Sequence, residues 1–274
     1  MKKLADKEYW DSIYKKKVVQ KSATNSKLFI FKNFLKKISR DYTNSFIWEY
    51  LLPKFLTIDN SKKIIEIGCA PGKYLIEFNK KFGYEPFGVE YSKEGVEIAR
   101  SNFIEYGINP SNVIEVDFFD TQFHKENASQ YDVVFSRGFI EHFDDPKKVV
   151  DMHLSLIKKG GLLVILIPNL NGINKFLAKF LNIDSYKLHN TSIMNAAGFS
   201  KLFDKSLIKT EYCGPVGFFS WGLFNTNSRP KYIFYRTMLL AQRIFDFVWR
   251  SVFSYKHFYS WYSSPYLLYV GVKK

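Results

Sequence analysis

Three acidic residues stand at the ends of three apolar runs: Glu66 in "IIEIGCAPGKY", Glu90 in "FGVEYS" and Asp117 in "NVIEVDFFD". Carboxylates accept hydrogen bonds, so the set suits a ligand rich in hydroxyl and amino groups. The loop after Glu66 narrows the choice. A dinucleotide fingerprint needs G-x-G-x-x-G, whereas Gly68 is followed by Cys69, Ala70, Pro71 and Gly72, and Pro71 has no N–H to offer a phosphate. A phosphate-cradling loop needs G-x-x-x-x-G-K and then Ser or Thr; here the spacing is one residue short and Tyr74 follows Lys73. Glu66 beside the turn repels a pyrophosphate and attracts an ammonium group. The expected ligand is adenosine-like and phosphate-free. Glu90 suits ribose hydroxyls, Asp117 an exocyclic amine, and Phe118 the face of a flat base.

A second constellation lies in "FSRGFIEHF". Glu141 and His142 are candidates for handling a proton, and a histidine near its free pKa can act as base toward a hydroxyl. Arg137 offers an anchor for an anionic substrate, or one half of a structural ion pair. Asn169, after Pro168, is expected at the same mouth.

These residues need elements to hold them. The pattern predicts a strand over 63–67, a helix over 73–82, a strand over 86–90, a helix over 93–106, strands over 112–116 and 131–135, a helix over 146–158 and a strand over 162–167. Such alternation builds a parallel sheet covered by helices, with ligands at the carboxyl ends of the strands. Ser92 is placed to cap the helix ending at Gly107, and Asp144, Asp145 and Pro146 to open another that stops at Gly160 and Gly161. Residues 1–60 read as helical. "PYLLYVGVKK" suits a last strand paired with one near Glu211 and Tyr212, which leaves 171–205 and 214–264 as excursions.

Composition agrees with a folded enzyme-sized core: 46% hydrophobic residues in 274, with 27 Phe and 18 Tyr. Cys69 and Cys213 are too few for a disulfide framework, which fits a reducing cytoplasm. The start lacks a signal-peptide apolar region, and no 18-residue uncharged apolar stretch exists. The net charge of +14 divides as +7 over residues 1–60, −3 over 61–170 and +10 over 171–274. Basic flanks of this kind face nucleic acid, anionic lipid or a phosphorylated substrate, or serve only as a solvated surface.

From Ile64 to Asn169 the sequence resembles class I S-adenosylmethionine-dependent methyltransferases of the small-molecule O- and N-methyltransferase branch. The resemblance implies a Rossmann-like, doubly wound, mostly parallel seven-stranded α/β sheet with helices on both faces. An N-terminal helical lid and a C-terminal helical insertion would be added to it. It assigns the cofactor S-adenosylmethionine to Glu66, Gly68, Cys69, Ala70 and Gly72 for the methionine part, Glu90 and Tyr91 for the ribose, and Asp117 and Phe118 for adenine, with Ser136 nearby. Ala70 departs from the commoner central glycine. Transfer from a sulfonium donor is an in-line displacement that needs alignment and a water-poor pocket.

The resemblance also divides the chain: a lid region over 1–60, the cofactor-binding core over 61–170, and excursions with the last strands over 171–274. "KEYWDSIYKK" looks like the short lid of many such enzymes, with Tyr9, Trp10 and Tyr14 closing over the site; surface packing of an N-terminal helix is the plainer reading. Some relatives carry a motif resembling E-x-x-E-H that holds a divalent ion. Gly138 stands where its first acid would be, so only Glu141 and His142 remain, His189 is distant in sequence, and no metal is expected.

The helix expected over 231–253 carries Arg236, Gln242, Arg243, Asp246 and Arg250 on one side and aromatic or aliphatic residues elsewhere. It suits peripheral contact with a membrane interface, packing on the core, or dimerisation. The acceptor expected is a small molecule or lipid-linked compound methylated on a hydroxyl, in the cytoplasm or at a membrane edge. An RNA methyltransferase is the second reading, weakened by the lack of an RNA-binding motif and of an N-P-P-Y signature. A third is a non-catalytic cofactor-binding protein recruited to a membrane or complex.

Overall fold

The computed structural model describes residues 2–21, 41–253 and 259–274; residues 22–40 of the expected N-terminal helical region lie outside them. Helix α1 (Lys7–Lys21) comes first. The amphipathic stretch before the first strand is not one helix. It is a short α2 (Tyr42–Phe46), a π-helical turn (Ile47–Leu51) and a 3-10 turn (Leu52–Lys54), because Pro53 has no N–H to continue the regular ladder.

Seven strands then form one sheet: β1 (Lys63–Ile67), β2 (Glu85–Glu90), β3 (Val113–Glu115), β4 (Tyr131–Arg137), β5 (Ile157–Pro168), β6 (Ile208–Val216) and β7 (Tyr266–Lys273). Their spatial order is β3-β2-β1-β4-β5-β7-β6. The first five are parallel, and β7 runs antiparallel between β5 and β6. The fold is therefore the doubly wound α/β sheet that the alternation implies, and the last third of the chain completes the same sheet.

Helices α3 (Lys73–Phe82), α4 (Lys93–Glu105), α5 (Thr121–Asn127) and α6 (Pro146–Leu156) cross between strands. Ser92 Oγ accepts from Gly95 N at 3.2 Å and Asp145 Oδ1 from Lys148 N at 3.1 Å, which gives α4 and α6 their starts. Helix α6 stops two residues before the expected position, because Ile157 already pairs with Tyr131 and the register then jumps to Val133 opposite Leu162. The excursions hold α7 (Gly172–Lys187), α8 (Ala196–Ser200) and α9 (Arg229–Phe253).

Strand β1 is buried on both faces, with Ile65, Val134 and Leu163 in one apolar cluster and Ile64, Phe78 and Phe103 in the other. A parallel strand closed on both sides can expose polar groups only at its ends. That is why Glu90, at the carboxyl end of β2, opens onto a crevice there, with Glu66 buried just inside the end of the neighbouring β1.

Candidate functional site

That crevice is a cavity of about 350 Å³. Its walls come from the β1 and β2 loops (Gly68, Ala70, Glu90, Tyr91), the β3 loop (Asp117, Phe118), the β4 loop (Arg137 to Phe139 and Glu141 to Phe143) and the N-terminal segment (Lys3, Trp10, Tyr14).

The loop after β1 is built to let something close. Gly68 has φ +72°, and a Cβ there would stand 2.9 Å from Phe139 Cδ2, so a side chain would meet both backbone strain and the cavity wall. Gly72 (φ +84°) does different work, turning the chain into α3 against Phe103. The Cys69 side chain is buried away from the cavity beneath Gly88, and burial pushes its thiol well above the usual range.

Glu66 is 2% exposed and its Oε2 has no hydrogen-bond partner. Burial raises its pKa well above the ordinary value, with Lys73 and Arg137 opposing the shift. An unpaired buried carboxylate is costly and is relieved by a cationic group; Glu66 itself lies behind the cavity wall, so the orphaned oxygen would act on the ammonium of the expected cofactor only if the loop after β1 shifts to admit it. Glu90 is held more firmly: Oε1 accepts from Tyr91 N at 3.0 Å and Ser92 N at 2.9 Å, and Oε2 from Ala70 N at 3.4 Å. The long third contact leaves Oε2 acceptor capacity for a hydroxyl.

The remaining expected residues divide. Asp117 borders the cavity, but its Oδ2 already takes Lys3 Nζ at 2.7 Å and its Oδ1 the Phe119 N–H at 3.1 Å. Phe118 lines the wall and packs edge-on against Phe139. Ser136 is buried with an unpartnered Oγ and does not reach the wall. Nor does Asn169, whose amide nitrogen is spent on the carbonyls of Trp261 and Ser264. In α1, Trp10 and Tyr14 face the cavity while Tyr9 turns toward Ser185 on α7, since neighbouring helical positions diverge by about 100°.

Arg137 makes no ion pair within 4.0 Å among the described residues. Its guanidinium lies 4.7 Å from the ring centres of both Tyr74 and Tyr266 and donates to Asn44 Oδ1 at 3.0 Å. Stacking of this kind fixes a cation while leaving its charge unneutralised. Tyr266 comes from β7, and no local pattern in the sequence could have found it.

Glu141 and His142 sit in a 3-10 turn (Ile140–His142) after β4. Glu141 is fully buried and neither carboxylate oxygen accepts a hydrogen bond of ordinary geometry. Burial raises its pKa to about 8, tempered by the nearby N–H groups of Glu141 and Phe139. His142 Nδ1 lies 2.8 Å from Leu188 O, which fixes the proton on Nδ1 and leaves Nε2 bare. The histidine expected near its free pKa lies far below it: burial holds the pKa down at about 3, aided by His189 and opposed by the Leu188 carbonyl, so the ring is a weak base.

The segment 188–190 is clasped to this turn: Asn190 N donates to Glu141 O at 2.6 Å and Asn190 Nδ2 to Phe143 O at 3.1 Å. The clasp sets His189 against His142, ring centres 4.6 Å apart. Sequence distance is what set His189 aside, and the fold removes that distance.

The chain matches the model of a family described as a methyltransferase domain over residues 40–210. It is 32% identical over 117 residues to the ubiquinone biosynthesis O-methyltransferase of Salmonella arizonae, a match covering 43% of this chain and 47% of that one. The Vibrio vulnificus protein of the same description is 33% identical over 100 residues, covering 36% and 41%. The chain thus spans less than half the length of these curated relatives. Geranyl diphosphate C-methyltransferase from Streptomyces coelicolor superposes with TM-score 0.56 at 14% identity, covering 84% of this chain and 79% of that one, a likeness of fold.

Proposed function

Because the chain belongs to the methyltransferase-domain family, we propose that it methylates a hydroxyl of an amphipathic, lipid-linked acceptor at a membrane surface, with S-adenosylmethionine as donor. When bound, that cofactor supplies an electrophilic methyl group on sulfur. Glu66 would hold its ammonium once the loop after β1 shifts, Gly68 and Ala70 would let its chain pass, and Glu90 would take the ribose hydroxyls. Phe118, Phe139 and Phe143 wall the cavity and exclude water, which favours charge-neutralising transfer. Glu141, with its pKa raised to about 8, would be the stronger acceptor of a hydroxyl proton once ionised, while His142 Nε2, a weak base at about 3, would orient the hydroxyl through its bare lone pair.

The observation that carries the acceptor class is the orientation of α9. Its polar residues face inward: Gln242 accepts from Trp221 N at 2.6 Å and donates to Phe219 O, Asp246 accepts from Tyr42 N at 3.2 Å, and Arg250 donates to Ser45 Oγ. Its apolar residues face out, among them Ile233 (68% exposed), Leu240, Ile244, Phe247 and Val252. Helix α7 continues the face with Phe176 and Phe180, and Phe180 meets Phe234 edge-on. Arg236 and Arg243 remain exposed beside it. No helix of the described residues is long and apolar enough to cross a membrane. A large outward apolar face flanked by cations suits an anionic lipid surface instead. The names of the curated relatives, O-methyltransferases of ubiquinone biosynthesis, support a ring hydroxyl on a lipid-tailed molecule.

The test is transfer of labelled methyl from S-adenosylmethionine to a polyprenylated catechol in anionic vesicles, with the product identified as an ether. Glu141→Gln should lower turnover by roughly 10²–10⁴, and His142→Ala by less, while both leave affinity for S-adenosylhomocysteine unchanged. Cofactor and vesicle binding without transfer to this or related phenols would favour the non-catalytic reading.

A further inference from the structure

We propose that a second cavity, walled by α9 and the segment after β6, binds the hydrocarbon tail of the acceptor while its head group enters the first. The inference deepens the function proposed above and rests on it for the identity of the molecule, though not for the binding of a tail.

The second cavity measures about 350 Å³, the size of a small-molecule site. Its wall is mostly aromatic: Phe219 and Trp221 come from the segment after β6, and Phe245 and Trp249 from α9. Gln242 and Asp246 also reach it, and the protein engages both. Gln242 spends each end of its amide on main chain, accepting from Trp221 N at 2.6 Å and donating to Phe219 O at 2.9 Å, while Asp246 Oδ2 accepts from Tyr42 N at 3.2 Å. The surface left toward the cavity is chiefly apolar. Such a space favours a ligand with hydrocarbon to bury and no polar group to desolvate.

Two elements join this cavity to the first. The 3-10 turn Trp221–Leu223 gives Trp221 to the second cavity and Gly222 and Leu223 to the first. Helix α2 does the same: Tyr42 stands on the wall of the second, while Asn44 Oδ1 accepts at 3.0 Å from Arg137, which lines the first. The two spaces are thus neighbours across one turn, and Gly222 puts no side chain on that partition. The rim of the second cavity opens outward. Phe218 and Phe245 line it and are 50% and 49% exposed, and Phe245 adjoins Ile244 on the outward apolar side of α9. Apolar surface therefore extends from the face proposed to meet lipid to the neighbourhood of the first cavity. A molecule with its tail in a bilayer and its head at the methyl donor needs such a path, because every methylene left in water on the way costs free energy.

The experiment titrates the whole protein, without vesicles, with ω-bromoalkanols of increasing chain length. Quenching of tryptophan fluorescence is the readout, since bromine quenches on contact and Trp221 and Trp249 stand on the wall. The expected result is saturable quenching whose affinity rises with chain length and then levels off, as it must once the chain outgrows a bounded cavity. Ala241→Phe, which fills the cavity, should weaken probe binding at least about tenfold, as loss of about two methylenes from contact would. Phe218→Ala, at the exposed rim, should weaken it less and leave the melting temperature in place. In turnover, the kcat/KM advantage of a polyprenylated catechol over catechol itself should shrink at least about tenfold in Ala241→Phe. Affinity that climbs with length without limit, or that is unchanged in both variants, marks partitioning onto the surface and overturns the proposal. So does tighter binding of a bromoalkyl trimethylammonium than of the matching alcohol, which would assign the cavity to a cation beside Asp246. Calorimetry of S-adenosylhomocysteine, run alongside, reports on the methyltransferase reading separately: its failure would sink that reading and leave the probe titration to be judged alone.

Discussion

Lys3 Nζ stands 2.7 Å from Asp117 Oδ2, joining the N-terminal segment to the loop after β3 across the cavity mouth. The same segment is pinned by Leu4 N to His142 O at 2.8 Å and by a bridge between Lys3 and Phe143. It therefore lies over the site as a strap, with Trp10 and Tyr14 behind it. Exposed ion pairs contribute about 0.2–1 kcal/mol. Lys3→Ala should accordingly speed release of S-adenosylhomocysteine by less than about fivefold in stopped-flow measurements. Slower release would mean that Lys3 competes with the ligand for Asp117 instead of holding the strap down.

The β1 loop and Glu90 make separable contributions to cofactor binding. Gly68→Val should abolish it, because a branched side chain meets both φ +72° and Phe139. Glu90→Ala should weaken it by about 1–3 kcal/mol, the worth of hydrogen bonds to a charged acceptor. Calorimetry decides, with NAD and ATP as ligands that should not bind. Binding of NAD in place of the sulfonium compound would refute the chemistry assigned to this loop.

What the sequence revealed and what it hid follow from range. Glu90 and Asp117 were legible because each lies at or just past the carboxyl end of its own strand, and strand order then brings both to the cavity, whereas Glu66 stays buried behind its wall. Capping by Ser92 was legible for the same local reason, and of the pair Asp144 and Asp145 the structure chose Asp145. Tyr266, Lys3 and His189 reach the site from far along the chain, and only tertiary pairing places them. The polar stripe of α9 was visible as a period, but not its direction: a stripe of that kind on a surface helix ordinarily faces water. Here Gln242, Asp246 and Arg250 face the protein and the apolar side faces out. Asn169 misled because a side chain after a strand end can turn either way, and buried carbonyls claimed it.

Asp246 gives stability a pH signature. Burial lifts its pKa from 3.8 to about 6, against the Tyr42 N–H and Arg250, which lower it. The folded protein thus holds this proton more tightly than the unfolded chain. The resulting penalty grows as pH rises from about 4 to about 6 and is complete above that. Asp246→Asn should raise stability by about 1–2 kcal/mol at pH 8, less than the full shift because the side chain borders an open groove. Below pH 4 the two proteins should melt together. A variant less stable at pH 8 would show that the carboxylate's hydrogen bonds outweigh its desolvation.

The outward face of α7 and α9 makes the final prediction, because lipid and a second protein surface respond differently to charge. If lipid covers it, the protein should sediment with anionic vesicles, bind neutral ones less, and release as salt rises, since exposed charges are screened beyond about 8 Å at physiological ionic strength. Arg236→Gln with Arg243→Gln should weaken that binding without changing the melting temperature, as both side chains are exposed. Arg250 belongs in a different class: its bond to Ser45 makes it structural, so Arg250→Gln should lower stability more than vesicle affinity. Phe176→Asp and Phe247→Asp, at positions 68% and 45% exposed, place a charge where tails would insert and should abolish sedimentation while the fold persists. A face that instead pairs with a second copy would give a dimer in ultracentrifugation, insensitive to lipid and dissociated by the same two aspartates. That outcome would move the acceptor away from the membrane and leave a soluble hydroxyl compound as the substrate to seek.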